Sequence, residues 1–241
     1  MKRILFLAGL GASLLLTSCS DDNSLFNEPM PIRAYETDAQ IMAQFVEVDN
    51  TSGIYVLNPD KTVTATDYVI NRSREELLEV SPVNRDRFLN EMEAVNNQLF
   101  LMKRSGLVRA FVYSTLYSNT VIDVDEADSF SISKLAEDSY TRRSIASVKL
   151  ENDRSNSTSF HSGSVMVMNV NAPSGSTFYL AQVTLGDQIA NDAETIIVSG
   201  VKSQMPNRSY RLVTSPYLDT NKKLSGINLI GDGNVTISIS Q

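Results

Sequence analysis

Apolar residues fall into two textures along the chain, a helical stripe before Gly106 and short alternating runs after it. Phe88, Met92, Val95, Leu99 and Met102 recur at spacings of four and three, the period of one helix face. Ser81 supplies a cap, Pro82 takes the first helical position, where a missing N–H has no partner to lose, and Gly106 supplies a stop. The stripe covers about two heptads, too few for a coiled coil, so it predicts a helix packed on a sheet. Ser73-Arg74-Glu75-Glu76 has capping-box spacing and predicts a shorter helix up to Val80. From Asp38 onward, Ile41, Met42, Phe45 and Val46 fit a short helix, while Phe45 to Asp49 fits a strand equally well. Gly53 to Leu57 and Thr62 to Ile70 are rich in β-branched and aromatic residues. Asn58-Pro59-Asp60-Lys61 between them places proline where a type I turn wants it, which predicts a hairpin.

Beyond Gly106 the predicted strands are 107–117, 120–124, 129–135, 144–150, 164–171, 177–185, 195–202, 209–214, 226–230 and 235–240. No helical pattern stands between them, so they predict an antiparallel sandwich or barrel and not a parallel sheet. Gly231-Asp232-Gly233-Asn234 reads as a hairpin turn joining the last two. Val235, Ile237 and Ile239 alternate with Thr236, Ser238 and Ser240, one face buried and one wet. Asn152 to Gly163 is polar and reads as a loop. The fold class expected is α+β: a helix-containing portion over 37–106, followed by an antiparallel β-sandwich-like domain over 107–241.

The first residues change the picture from fold to location. Lys2 and Arg3 precede an apolar run from Ile4 to Leu16, and Leu16-Thr17-Ser18 leads into Cys19, the single cysteine. The run is about 13 residues, short of the roughly 20 that span a bilayer. This layout resembles a bacterial lipoprotein signal. The resemblance implies that residues 1–18 are removed and that Cys19 becomes the acylated first residue, carrying diacylglyceride and palmitate. Residues 19–36, with Pro29 and Pro31, read as an extended tether. Asp21 and Asp22 resemble the acidic export tag of Bacteroidota surface lipoproteins, which implies an outer-membrane address on the cell surface.

Charge narrows the partners. Losing Lys2 and Arg3 with the signal takes the formal charge from −7 to −9. Such a surface disfavours nucleic acid and electrostatic adhesion to anionic lipid, both of which want clustered Lys and Arg. With Cys19 committed to lipid, neither a disulfide nor a cysteine-based metal site can be built.

Candidate chemistry is sparse. His161 is the only histidine and has no nucleophile-elbow pattern around it. Asp123, Asp125, Glu126 and Asp128 form an acidic cluster that lacks the glycine and glutamate of a calcium loop. Met166 and Met168 share one strand face, where thioethers either pack or ligate haem; packing is the reading taken. Sugar platforms would have to use Tyr113, Tyr117, Tyr179, Tyr210 or Tyr217, since tryptophan is absent. The expectation is a non-catalytic binding, adhesion or envelope-assembly module. It needs no cofactor beyond the lipid on Cys19, it reaches the membrane through that lipid, and its partner is a protein or polysaccharide. The alternatives are a small glycan- or peptide-directed hydrolase with paired carboxylates and a periplasm-facing structural lipoprotein.

Overall fold

The computed structural model describes residues 33–60, 67–124, 130–135, 143–163, 165–172, 177–187, 192–201, 207–214, 220–232 and 235–241. The fold is β-rich, and its sheets are built mainly of antiparallel strands. Its elements in chain order are α1 (Tyr35–Ala43), β1 (Val46–Asp49), β2 (Ile54–Leu57), α2 (Asp67–Leu78), α3 (Pro82–Ser105), β3 (Ala110–Ser114), β4 (Asn119–Asp123), β5 (Phe130–Lys134), β6 (Ser144–Lys149), β7 (Asn156–Ser162), β8 (Val165–Asn171), β9 (Phe178–Asp187), β10 (Asp192–Val201), β11 (Asn207–Thr214), β12 (Thr220–Ile230) and β13 (Thr236–Ser240). Cys19 and the rest of residues 1–32 lie outside the described residues. Tyr35 and Glu36, placed in the tether by the sequence, belong to α1.

Helix α3 forms as its punctuation dictates. Ser81 Oγ accepts from Asn84 N at 3.3 Å, Pro82 opens the helix, and Gly106 closes it in the left-handed region at φ 65°. Its inward stripe of Phe88, Val95 and Leu99 is fully buried. A second device fixes where it starts. Asp38, on α1 and wholly buried, accepts through Oδ2 from Ser81 N at 3.1 Å and from Asn84 Nδ2 at 2.8 Å. A carboxylate at a helix N-terminus also meets the positive end of the helix dipole, so α1 and α3 are tied by charge as well as by packing.

Two sheets follow. One has the order β4-β3-β10-β9-β12-β7, the other β5-β11-β8-β13-β6. Between them lies one apolar cluster that takes Ala110, Val112, Ile196 and Val198 from the first sheet and Met166, Met168, Ile237 and Ile239 from the second. The opposite face of the six-stranded sheet presents Phe111, Tyr113, Phe178, Leu180 and Ile197 to the helices, in a second cluster with Phe88, Val95 and Leu99. Successive residues of a strand point to opposite faces, so the sheet is covered on both sides around β3, which is buried at every position, while outward residues of β7 and β12 such as His161 and Lys223 are exposed. Helices, six-stranded sheet and five-stranded sheet thus stack as three layers, and residues 33–241 form one compact unit.

Several expectations are corrected. β2 pairs with β1, Val46 with Leu57 and Asp49 with Ile54, whereas the expected second arm over 62–70 lies outside the described residues as far as 66. The turn is closed by Asp49, which accepts from Thr51 N at 3.0 Å and Ser52 Oγ at 2.5 Å, with Gly53 at φ 60°. Residues 67–70 lie in α2, which runs through Ser73 instead of starting there; Ser73 Oγ donates to Gln44 Oε1 at 3.0 Å. A short β-branched run beside strong helix formers takes the helix its neighbours prefer. The polar stretch around His161 contains an edge strand, β7, with Phe160 and Ser162 turned inward and the backbone ladder supplied by β12. One strand pair is parallel, β3 against β10, which the long intervening chain permits. The 231–234 link is not a hairpin turn. It carries the chain from β12 in one sheet to β13 in the other, where β13 lies between β8 and β6.

Two local arrangements give measurable consequences. Asn96 on α3 accepts from Tyr55 N and donates to Tyr55 O, both at 2.8 Å, imitating a neighbouring strand and docking β2 on the helix. Asn96→Ala leaves both backbone groups unpaired and is expected to cost about 2–3 kcal/mol in a urea melt. A loss under half a kcal/mol would mean that water replaces the amide there.

Burial pushes the Tyr35 hydroxyl up to about 12 and holds Tyr55 and Tyr113 well above the ordinary tyrosine value. A raised folded value means that the stabilising, protonated state is fully present below about pH 10, the unfolded value, and is lost as pH climbs through the folded values. Tyrosinate absorbance followed beside circular dichroism should therefore show these phenols ionising only as the fold is lost. Titration of all 9 tyrosines near their ordinary value with the fold intact would contradict this.

Candidate binding face

Among the described residues, the five-stranded sheet has one face on the shared core and no helix packed on the other; the cluster that holds the helices contains no residue of β5, β6, β8, β11 or β13. Alternation decides what that outer face carries. On β8, Met166, Met168 and Val170 go inward, so Val167, Asn169 and Asn171 go outward; on β13, Ile237 and Ile239 inward leave Thr236, Ser238 and Ser240 outward.

Register then arranges these residues in rows across the sheet. One row is Ser209, Asn169, Ser238 and Ser147; the next toward one edge is Asn171, Thr236 and Lys149; the next toward the other is Ser133, Arg211, Val167, Ser240 and Ser144. Neighbours within a row are about 4.8 Å apart, and rows repeat about every 6.7 Å along the strands. Two side-chain hydrogen bonds fix the centre: Ser209 Oγ donates to Asn169 Oδ1 at 2.7 Å, and Asn169 Nδ2 donates to Ser240 Oγ at 3.0 Å. Asn171 Oδ1 is shielded and has no hydrogen-bond partner among the described residues. Arg211, Lys149, Ser147 and Ser133 are exposed. The result is a set of rows of hydroxyls and amides, able to donate and accept, in which Val167 and Ser240 are buried, Ser209, Asn169 and Ser238 are half-buried, and two exposed long cations stand at the margins.

The residues singled out in the sequence do not converge. His161 is exposed on β7, its Nδ1 3.1 Å from Asn221 Oδ1 across the β7–β12 pair. Asp123 pairs with buried Arg109, Nε to Oδ1 at 3.5 Å, and Arg109 Nη2 donates to Phe130 O at 3.2 Å. This arginine holds β3 and β4 against the start of β5, where the chain changes sheets. Asp125, Glu126 and Asp128 lie outside the described residues. Met166 and Met168 are fully buried in the core between the sheets. Tyr113, Tyr179 and Tyr210 are buried too, with Tyr210 sharing a 3.1 Å hydrogen bond with Ser114 Oγ across the two sheets. Tyr117 is exposed, and Tyr217 lies outside the described residues.

Among the described residues no group of three or more His, Cys, Asp and Glu is arranged to hold a metal ion, and no helix is long and apolar enough to cross a membrane. The helix-free face was missed by sequence reasoning because its five strands are scattered between residues 130 and 240. Only the register gathers them. No protein-family model matches the sequence, and no solved structure matches the fold.

Proposed function

We propose that this chain is an α+β lipoprotein anchored through acyl chains on Cys19, displayed on the outer face of a Bacteroidota-type outer membrane, and that its β-sandwich-like part binds a partner without catalysis. Leu16-Thr17-Ser18-Cys19 behind a basic, apolar start supports the anchor. The observation that carries the binding role is the outer face of the five-stranded sheet, where Ser209, Asn169, Ser238 and Ser147 lie in one row and Arg211 and Lys149 stand exposed at its margins. Hydroxyls and amides in flat rows supply recognition by hydrogen bonding.

Surface display is tested by treating intact cells with protease. Cleavage before the outer membrane is opened is the expected result. Complete protection until the membrane is permeabilised would overturn surface display and favour the periplasm-facing alternative.

A further inference from the structure

Charge is sorted between the two sheets. The five strands β5, β6, β8, β11 and β13 contain no aspartate or glutamate and carry Lys134, Lys149, Arg208 and Arg211, in a chain whose formal charge is −7. The six strands of the other sheet carry Asp123, Asp187, Asp192 and Glu194 against Lys222 and Lys223. By register Lys134 stands level with Tyr210 and Arg208 with Val170, both core-facing positions, so the outer face carries two cations, Arg211 and Lys149, and no carboxylate from its five strands.

We propose that this face binds an acidic polysaccharide, a sugar chain bearing carboxylate or sulfate groups. The proposal rests on the reading that this face is where the protein binds. Arg211 and Lys149 are both exposed and, by register, stand three strands and four residues apart, about 20 Å on a flat sheet. A single sugar acid cannot reach both cations; a chain can. Between them lies the Ser209–Asn169–Ser238–Ser147 row, whose mixed donors and acceptors suit sugar hydroxyls on either side of each anionic group.

Other occupants fit less well. A protein interface wants a central aromatic or large aliphatic anchor, and the exposed large apolar residue on this face is Val165. Nucleic acid wants dense Lys and Arg with aromatic platforms for bases, and the row offers neither. The acidic body repels a polyanion elsewhere on the surface, which confines attachment to this side.

The test uses the full chain and two polyanions, polygalacturonate and chondroitin sulfate, with neutral dextran as the control in titration calorimetry. The proposal expects at least one polyanion to bind about tenfold or more tightly than dextran, and to weaken about tenfold between about 0.05 and about 0.5 M salt. The R211E/K149E double variant should lose about tenfold or more, while K223E, an exposed change on the six-stranded sheet, should stay within about twofold. Matching thermal melts of the variants show that both remain folded.

Equal, salt-insensitive binding of dextran would overturn the acidic ligand while leaving the face as the binding surface. Polyanion binding untouched by R211E/K149E would overturn the face itself. Failure with both polyanions, accompanied by self-association that R211E/K149E abolishes, would make a second copy the occupant and overturn this proposal alone. Failure with both and no self-association would overturn it together with the reading on which it rests.

Discussion

Replacing Cys19 with alanine is expected to move the protein from the membrane fraction to the soluble one almost completely. The size of the effect follows from the anchor. Each buried acyl methylene contributes about 0.8 kcal/mol, so one chain holds marginally and two or three together hold firmly. Nothing in the described residues replaces that: no helix there is long and apolar enough to cross a membrane, and the net charge of the chain opposes adhesion to anionic lipid. Fractionation by ultracentrifugation, with partition into a detergent phase as the second readout, checks it. A Cys19→Ala protein that stays with the membrane would refute lipid anchoring, whatever the folded part binds.

Phe88→Ala is expected to be the most destabilising single change among the described residues of α3. Phe88 is wholly buried, and its ring meets Phe178 edge-on with centroids 5.2 Å apart, joining α3 to β9. Phe178 in turn meets Tyr55 at 5.8 Å, and Tyr55 shares a 2.9 Å hydrogen bond with Ser199 Oγ on β10. Truncating a buried phenylalanine costs about 3–5 kcal/mol, against a total stability of about 5–15 kcal/mol. For a chain of this size that lowers the melting temperature by roughly 6–20 °C. Phe100, exposed on the same helix, provides the control: Phe100→Ala should change stability by less than about 0.5 kcal/mol. Because helices and six-stranded sheet share a cluster, the Phe88→Ala protein should melt in one transition at lower urea. A β-sheet signal that keeps the wild-type midpoint would mean that the helical layer unfolds separately.

The pattern of residues carried the elements further than it carried their partners. Helix α3 was legible because Ser81, Pro82 and Gly106 act through their own backbone geometry and the apolar stripe acts through the helix period. Most strands were legible because inward and outward residues alternate, as Ile237 and Ile239 do against Thr236 and Ser238.

Alternation states that one face is buried without stating against what. The run after Gly231 therefore looked like the second arm of a hairpin, although β12 and β13 belong to different sheets. β7 escaped notice because Ser, Thr and Asn dominate it and its pairing comes from the β12 backbone. The face was hidden for a related reason. Net charge sums over the whole chain, whereas the acid-free strands become one surface only through contacts between residues distant in sequence.

The binding claim is tested most directly by blocking the face on intact cells and watching a crosslinked partner. Ser238 sits mid-row on the helix-free face, and Thr184, on β9, points away from the core on the other sheet. With both variants anchored and folded, Ser238→Trp should abolish the crosslinked adduct that the natural protein gives and Thr184→Trp should preserve it. An adduct that survives Ser238→Trp, or that disappears equally in both, would contradict binding through the five-stranded sheet.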